Sequence, residues 1–358
     1  MVKVIQWCTG VAGQHAARAV IAHPDFDLVG CYVMSEAKAG KDVGEICGVA
    51  PTGVLATTDK EAIYAMEADV VLYMALEEFG VEKPVEELCR LLASGKNVVS
   101  TATTSLIYPK AAGAGVLERL EAACREGGTS FHATGIHPGW GGDILPLTLS
   151  AVTGRIDRLV MQEIMDYSTY PAPVAMFQLM GFGGPAHNVP PTDVPIEGSG
   201  SFGAPLLMIA DALGATIEKF VFQMQTIPAP EDMVIAAGTL AKGTVAGKRY
   251  SFTAIIDGEP KLTIEHVTRA GAPVPADWPE GRGWYVRIEG APSWKLSAEI
   301  GLDGQDNNDA GCLAGAMHAI HAIPYVLEAE PGVRTLTDLP MIMGRGILGK
   351  GVSGSPGF

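Results

Sequence analysis

The opening MVKVIQWCTGVAGQHAARAVIAH constrains this chain more than any other stretch, because an apolar strand runs into a tight glycine turn that at once opens a helix. Val2, Val4 and Ile5 supply the β-branched run, Gly10 is expected to let the backbone turn, and Gly13 to let the helix pack close. The free N–H groups of such a helix start, with the helix dipole behind them, suit a pyrophosphate. Thr9, Gly10, Val11, Ala12 and Gly13 are therefore candidate dinucleotide-binding residues. In the register G-x-G-x-x-G the first glycine is replaced by Cys8. Position carries the argument instead: the turn lies between a clear strand and a helix, and a second strand, DLVGCYVMS, follows at the expected distance.

That first unit repeats. EADVVLYMA has the continuous apolar run of a strand buried on both faces, GVLATTD and KNVVSTA read as further strands, and helices are expected over 83–94 and 114–125 before TSFHATG. Six strands alternating with helices make an α/β doubly wound parallel sheet ending near residue 135. From about residue 155 the rhythm changes to long mixed strands, RIDRLVMQEIMDYSTY, KFVFQMQTI, KRYSFTAIIDGEPKLTIEHVTR and GWYVRIEGAPSWKLSAEI, with Asp257-Gly258 as a hairpin turn. This is an α+β second domain with a mostly antiparallel sheet, interrupted by helical stretches over 174–180 and 204–213. The division expected is 1–135 for the dinucleotide domain, 136–307 for substrate and dimerisation, and 308–345 for a return to the first domain. That return is led by the small-residue helix AGCLAGAMHAIHAI, capped by Asn308 and Asp309 and ended by Pro324. A glycine-rich tail over 346–358 is expected to be disordered.

Composition excludes several classes. A net charge of −15 argues against nucleic acid as a partner, and six scattered cysteines without a C-x-x-C pair read as reduced thiols. No apolar run reads as a membrane span, and the opening reads as a strand where a signal peptide would need a basic start and an apolar core, so a cytoplasmic enzyme acting on a small molecule is expected. His318 and His321 lie three apart on the last helix, too few ligands for a metal site, and none is expected.

Cofactor choice turns on the end of the second strand. NAD readers place an acid there, whereas here stand Tyr32, Val33, Met34 and Ser35, followed by Lys38 and Lys41. Ser35, Lys38 and Lys41 fit a 2′-phosphate and hence NADP. Glu36 keeps NAD open. Ala75 and Thr101, at the ends of the fourth and fifth strands, are further cofactor candidates. For chemistry, three segments stand out. GIHPGWGGD offers His137 as a proton donor and Trp140 as a wall. In MQEIMDYSTY, alternation puts Met161, Glu163, Met165 and Tyr167 on one face. In LTIEHV it puts His266 with Leu262 and Ile264, while Thr263 and Glu265 point away. His137, Tyr167 and His266 are the candidate catalytic residues; Thr104, Trp140, Glu163 and Phe177 are candidate pocket residues. Met161, Met165, Phe177, Met180 and Trp140 are expected to form one apolar wall. Each of these residues suits an ordinary core role as well as a functional one.

Taken in order, VIQWCTGVAG, GCYVMSEAKAGKDVGE, GKNVVS, TGIHPGWGGDILPL, MDYSTYPAPVAMFQLMGFG, IEHVTR and GRGI resemble the dihydrodipicolinate-reductase-like oxidoreductases, a family that includes 2,4-diaminopentanoate dehydrogenase and native amine dehydrogenases. The resemblance implies an N-terminal Rossmann domain, a nicotinamide cofactor and a pocket role for His266. The histidine pair and lysine of true dihydrodipicolinate reductases are absent. Amine dehydrogenases resembling this chain carry a catalytic glutamate after the strand matching KNVVSTA, where Thr101, Ala102, Thr103, Thr104 and Ser105 stand here. The reading is an NADP-dependent oxidoreductase moving a hydride to or from a C=N or C=O carbon of a small to medium apolar substrate, in a homodimer. A cofactor-binding redox sensor is the alternative.

Overall fold

A computed structural model describes residues 1–75, 80–197, 199–345, 347 and 348. Of the tail expected to be disordered, residues 346 and 349–358 lie outside the described residues. The chain runs β1 (Val2–Trp7), α1 (Val11–Ala22), β2 (Phe26–Tyr32), α2 (Val43–Cys47), β3 (Ala56–Thr57), α3 (Lys60–Ala65), β4 (Val70–Tyr73), α4 (Glu82–Ala93), β5 (Asn97–Ser100), α5 (Val116–Gly127) and β6 (Ser130–Ala133). It continues through α6 (Ile144–Ser150), β7 (Arg155–Asp166), β8 (Val189–Val194), α7 (Gly200–Ala212), β9 (Lys219–Pro228), β10 (Met233–Ile235), β11 (Gly238–Leu240), β12 (Val245–Ile256), β13 (Glu259–Arg269), β14 (Gly283–Ala291) and β15 (Trp294–Glu299). Last come α8 (Asn307–Glu328) and β16 (Gly332–Val333). Contacts divide it into two units, 1–139 with 312–358, and 140–311; the sequence had placed these boundaries at 135 and 307.

The first unit is a parallel sheet of order β16-β6-β5-β4-β1-β2-β3. The order reverses at β1, and ligands of such sheets bind outside the carboxyl ends at that point. Alternation decides the two layers. Val4, Val70 and Leu72 face α1 and α8 through Ala17, Val20, Ala319 and Ile323, while Ile5, Trp7, Val71 and Tyr73 face α4 and α5 through Leu88, Leu92 and Leu120. The strand read as GVLATTD shrinks to Ala56–Thr57, because Gly53 turns the backbone at φ 82° and Leu55 is exposed.

α8 corrects the sequence reading at both ends. It begins at Asn307, where Asp306 Oδ1 accepts from the N–H groups of Asn308 and Asp309, and it runs through Pro324 to Glu328. It is the one helix among the described residues long and apolar enough to cross a membrane by length and composition, which the sequence reading had denied. Its Ala316, Ala319, Ile320 and Ile323 are instead buried in the first unit's core.

The second unit is a sheet of order β15-β14-β7-β13-β12-β9-β8, antiparallel except where β13 runs parallel to β7. Asp257 and Gly258 both take positive φ, 52° and 75°, and close the β12–β13 hairpin as a type I′ turn requires. One face of this sheet packs Leu159, Phe220, Ala254 and Val286 against Leu206 and Ile209 of α7. The opposite face carries Arg158, Gln162, Arg249, Thr263, Glu265 and Arg287. α7 thus covers the apolar face of this sheet. The helical stretch read at 174–180 is a π-helical turn, Val174–Leu179.

Candidate active site

The turn after β1 is built for close approach. Cys8, at the position a glycine usually holds, adopts φ 72°. Gly10 has φ −68°, so it does not supply the turn as the sequence reading had it; a Cβ there would meet nothing within 4 Å, which leaves the space over the turn open. Gly13 is the packing glycine, since its Cβ would sit 2.3 Å from the Cys8 carbonyl oxygen. No side chain caps α1 and no acid occupies its first turn. An open approach, an uncapped helix start and no opposing negative charge fit the pyrophosphate of a dinucleotide. Lys38 Nζ donates to the carbonyl and hydroxyl of Thr9, at 2.7 and 3.0 Å, so its cation is fixed beside this turn, while Ser35 and Lys41 are exposed.

At the carboxyl ends of β1, β2 and β4 opens a hollow of about 160 Å³, lined by Trp7, Tyr32, Met34, Lys60, Tyr73 and Ala75 among others. Trp7 lies against Tyr32 and Tyr73, with ring centroids 4.3 and 5.5 Å apart. Glu87 ties its floor, accepting from Tyr73 Oη at 2.6 Å and pairing with Lys60. Of these residues the sequence singled out only Ala75. The aromatic positions alternate along their strands like any core residue, and no local signal marks them.

Beyond β5, Thr101 N–H donates to the Tyr73 carbonyl at 3.1 Å. Thr103 takes φ 55°, a left-handed conformation unfavourable for a β-branched residue, and is 1% exposed, with no hydrogen-bond partner for its hydroxyl among the described residues. Thr104 starts a short 3₁₀ turn. His137 precedes Pro138 through a cis bond near the end of the first unit, in a turn so tight that a Cβ on Gly139 would lie 2.1 Å from the Gly135 nitrogen. Trp140 begins the second unit.

In the second unit, register gathers what the sequence had left on separate strands. Glu163 on β7 lies opposite Trp284 on β14 and His266 on β13, and His266 lies opposite Tyr250 on β12. Glu163 Oε2 accepts from Trp284 Nε1 at 2.9 Å, and Oε1 accepts from Tyr167 Oη at 3.0 Å and lies 3.4 Å from His266 Nδ1. The His266 ring stacks on Tyr250, 5.0 Å between centroids and 7° between planes, and meets the edge of Phe202 at 5.2 Å. Trp140 lies edge-on to Trp284 at 6.2 Å. Burial, with the Glu163 charge beside it, pushes the Tyr167 phenol well above its ordinary range. A phenol so placed is a poor proton source.

Lys248, two residues before Tyr250 on β12, donates to the Met180 carbonyl and lies over the Phe182 and Tyr250 rings; burial pulls its ammonium down to about 8. Lys248, Tyr250, Phe202 and Trp284 were missed in the sequence. Two-residue alternation along β12 and β14 was the only signal for three of them.

The apolar wall expected from five residues does not form as one surface. Met161 is fully buried in the cluster beneath α7, and Met165 takes a contact from Asn307 Nδ2. Phe177 and Met180 join a separate cluster with Met176 and Leu240, and the Phe177 ring closes over Gly183 and Gly238. Alternation gave the faces correctly, but it could not tell which end of a face lies under a helix.

A Rossmann sheet with an open glycine turn, joined to an α+β unit carrying a buried carboxylate–imidazole pair, defines a nicotinamide-dependent oxidoreductase of two units. Residues 142–350 match the model of the 2,4-diaminopentanoate dehydrogenase C-terminal domain, and residues 4–113 that of the dihydrodipicolinate reductase N-terminus. The chain belongs to this family of dehydrogenases, and it is an NAD(P)-dependent enzyme. It is 34% identical to an amine dehydrogenase of Streptomyces virginiae, over 98% of this chain and 99% of that protein. It is 25% identical to 2,4-diaminopentanoate dehydrogenase of Acetoanaerobium sticklandii, over 79% and 76%. Among solved structures, the amine dehydrogenase of Mycobacterium smegmatis shares the fold at a TM-score of 0.79, with 20% identity over 96% and 97% of the two chains.

Proposed function

We propose that the enzyme is an NADP-dependent dehydrogenase that interconverts an amine with its imine or ketone on a small to medium substrate bearing apolar groups. The observation that carries this is the row Trp284–Glu163–His266–Tyr250, a proton-handling imidazole held among aromatic rings and backed by a carboxylate. The amine dehydrogenase relative supports the amine side of the reading.

Thr9 to Gly13 would hold the pyrophosphate, Lys38 with Ser35 and Lys41 the 2′-phosphate, and residues around Ala75 the adenine end. The cofactor supplies hydride transfer. The protein must then move one proton, and of His137, Tyr167 and His266 we favour His266. The Tyr167 proton is engaged by Glu163, whereas an imidazole suits transfer near neutral pH. In the oxidative direction His266 accepts a proton from the substrate ammonium, leaving the neutral amine; in reduction it returns that proton to the amine nitrogen. Phe202, Tyr250 and Trp284 supply aromatic walls and exclude water.

The decisive assay follows NADPH absorbance with a panel of ketones, with and without ammonia, for the full-length enzyme and for His266→Ala. General acid–base catalysis is worth about 10² to 10⁴ in rate, and His266→Ala should lose that much in kcat while still binding cofactor. Near-normal turnover in that variant would remove the assignment. Ser35→Ala with Lys41→Ala, both exposed and away from the Thr9 bonds of Lys38, should weaken NADPH more than tenfold and NADH little, each charge-assisted contact being worth about 1.5–3 kcal/mol; equal weakening would argue for NAD.

A further inference from the structure

We infer that Glu163 is the positioning residue for His266, fixing its tautomer and ring so that Nε2 is the atom that exchanges the proton. This rests on the proton role proposed for His266. Glu163 is 5% exposed, and a carboxylate so buried is costly unless donors compensate it. Two of its donors, the Trp284 indole on β14 and the Tyr167 phenol just after β7, are neutral, and the Tyr167 backbone is tied to the Arg269 carbonyl. They leave the charge on the carboxylate and hold it in one rotamer. Oε1 is then presented to His266 Nδ1, 3.4 Å away, from the strand directly alongside.

A carboxylate at Nδ1 favours the tautomer that carries its proton there and stabilises the imidazolium that forms when Nε2 takes a second. The stacked Tyr250 ring and the Phe202 edge keep the imidazole from turning over. Proton balance follows: an N–H bond of the substrate ammonium breaks, an Nε2–H bond forms, and the Nδ1–H bond stays with His266 throughout. Tyr167, on this account, is a clamp on Glu163 rather than a donor to substrate.

The test uses the full-length enzyme with cofactor, labelled with ¹⁵N-histidine, the His266 signals being assigned by their loss in His266→Ala. The expected wild-type pattern is a protonated Nδ1 and a bare Nε2. Glu163→Gln, nearly isosteric, should give a mixture of tautomers, with kcat down about 10- to 100-fold and the KM for amine within threefold. An unchanged tautomer together with unchanged kcat overturns the inference. Should Glu163→Gln fail to fold, the double variant Trp284→Phe with Tyr167→Phe keeps the carboxylate but frees its rotamer. Mixed tautomers and a loss of kcat beyond tenfold then support the inference, and wild-type behaviour overturns it. The two ideas fail separately: a tautomer change in Glu163→Gln beside undiminished turnover in His266→Ala keeps the positioning and discards the proton role.

Discussion

Replacing His132 should reduce the acid sensitivity expected of the first unit. His132 is fully buried on β6, and its Nδ1 lies 2.7 Å from the Arg334 carbonyl oxygen, just after β16. Nδ1 therefore carries the proton donated to that carbonyl, and Nε2 is buried without a partner among the described residues. A second proton would place a cation in the core, which the Asp338 carboxylate offsets only in part. Burial pulls His132 down from 6.5 to about 4, and His318 on α8, bonded to Thr134 Oγ1 at 2.7 Å, falls to about 4 as well. Because the folded value lies below the unfolded one, the unfolded chain binds the extra proton first. The stabilisation is complete above about pH 6.5 and is lost as pH falls towards 4. The gap of about 2.5 units at about 1.36 kcal/mol each makes roughly 3 kcal/mol for His132.

His132→Gln can keep the bond to Arg334 without titrating. Hydrogen exchange of peptides spanning 97–134, followed against urea at several pH values between 7.5 and 4, measures the opening of this unit alone. The wild type should lose about 3 kcal/mol more than the variant across that range, the carboxylate background being common to both. Parallel profiles would refute the reasoning.

Three further outcomes follow from the same geometry. Gly10→Ala should fold normally and lose more than tenfold in cofactor affinity by fluorescence titration, whereas Gly13→Ala, with its Cβ 2.3 Å from a backbone oxygen, should cost about 1–3 kcal/mol of stability; reversed effects would show the turn misread. Thr103→Val keeps the branched shape and removes a buried hydroxyl that has no partner among the described residues, so its melting temperature should not fall; a loss of more than about 1 kcal/mol would mean that the hydroxyl is bonded after all. We also propose a homodimer through the sheet face of β7, β12, β13 and β14 left uncovered by α7, where Arg158, Arg249 and Arg287 alternate with Glu265 and Glu289, so that a two-fold copy sets plus against minus. Light scattering should give twice the monomer mass, and Arg287→Glu with Arg249→Glu should halve it; a monomeric wild type at micromolar concentration defeats the proposal.

Local pattern determined a good deal of this protein. The strand–turn–helix start, the buried run of β4, and the Asp257-Gly258 hairpin follow from residue shape and period, since φ, ψ and side-chain alternation are set within a few residues. The same alternation put Glu163 of β7 and Tyr167 just beyond it on one side and turned His266 away from Glu265. Register was beyond it. A shift of one residue between β7 and β13 would have sent His266 to the other face from Glu163, and nothing local to either strand fixes that pairing. Nor could the sequence show that the left-handed residue of the cofactor turn is Cys8 rather than Gly10, that Met161 lies under α7, or that Pro324 sits within a helix. Those outcomes are decided by packing between elements distant along the chain, where the burial of whole faces outweighs the preference of any one residue.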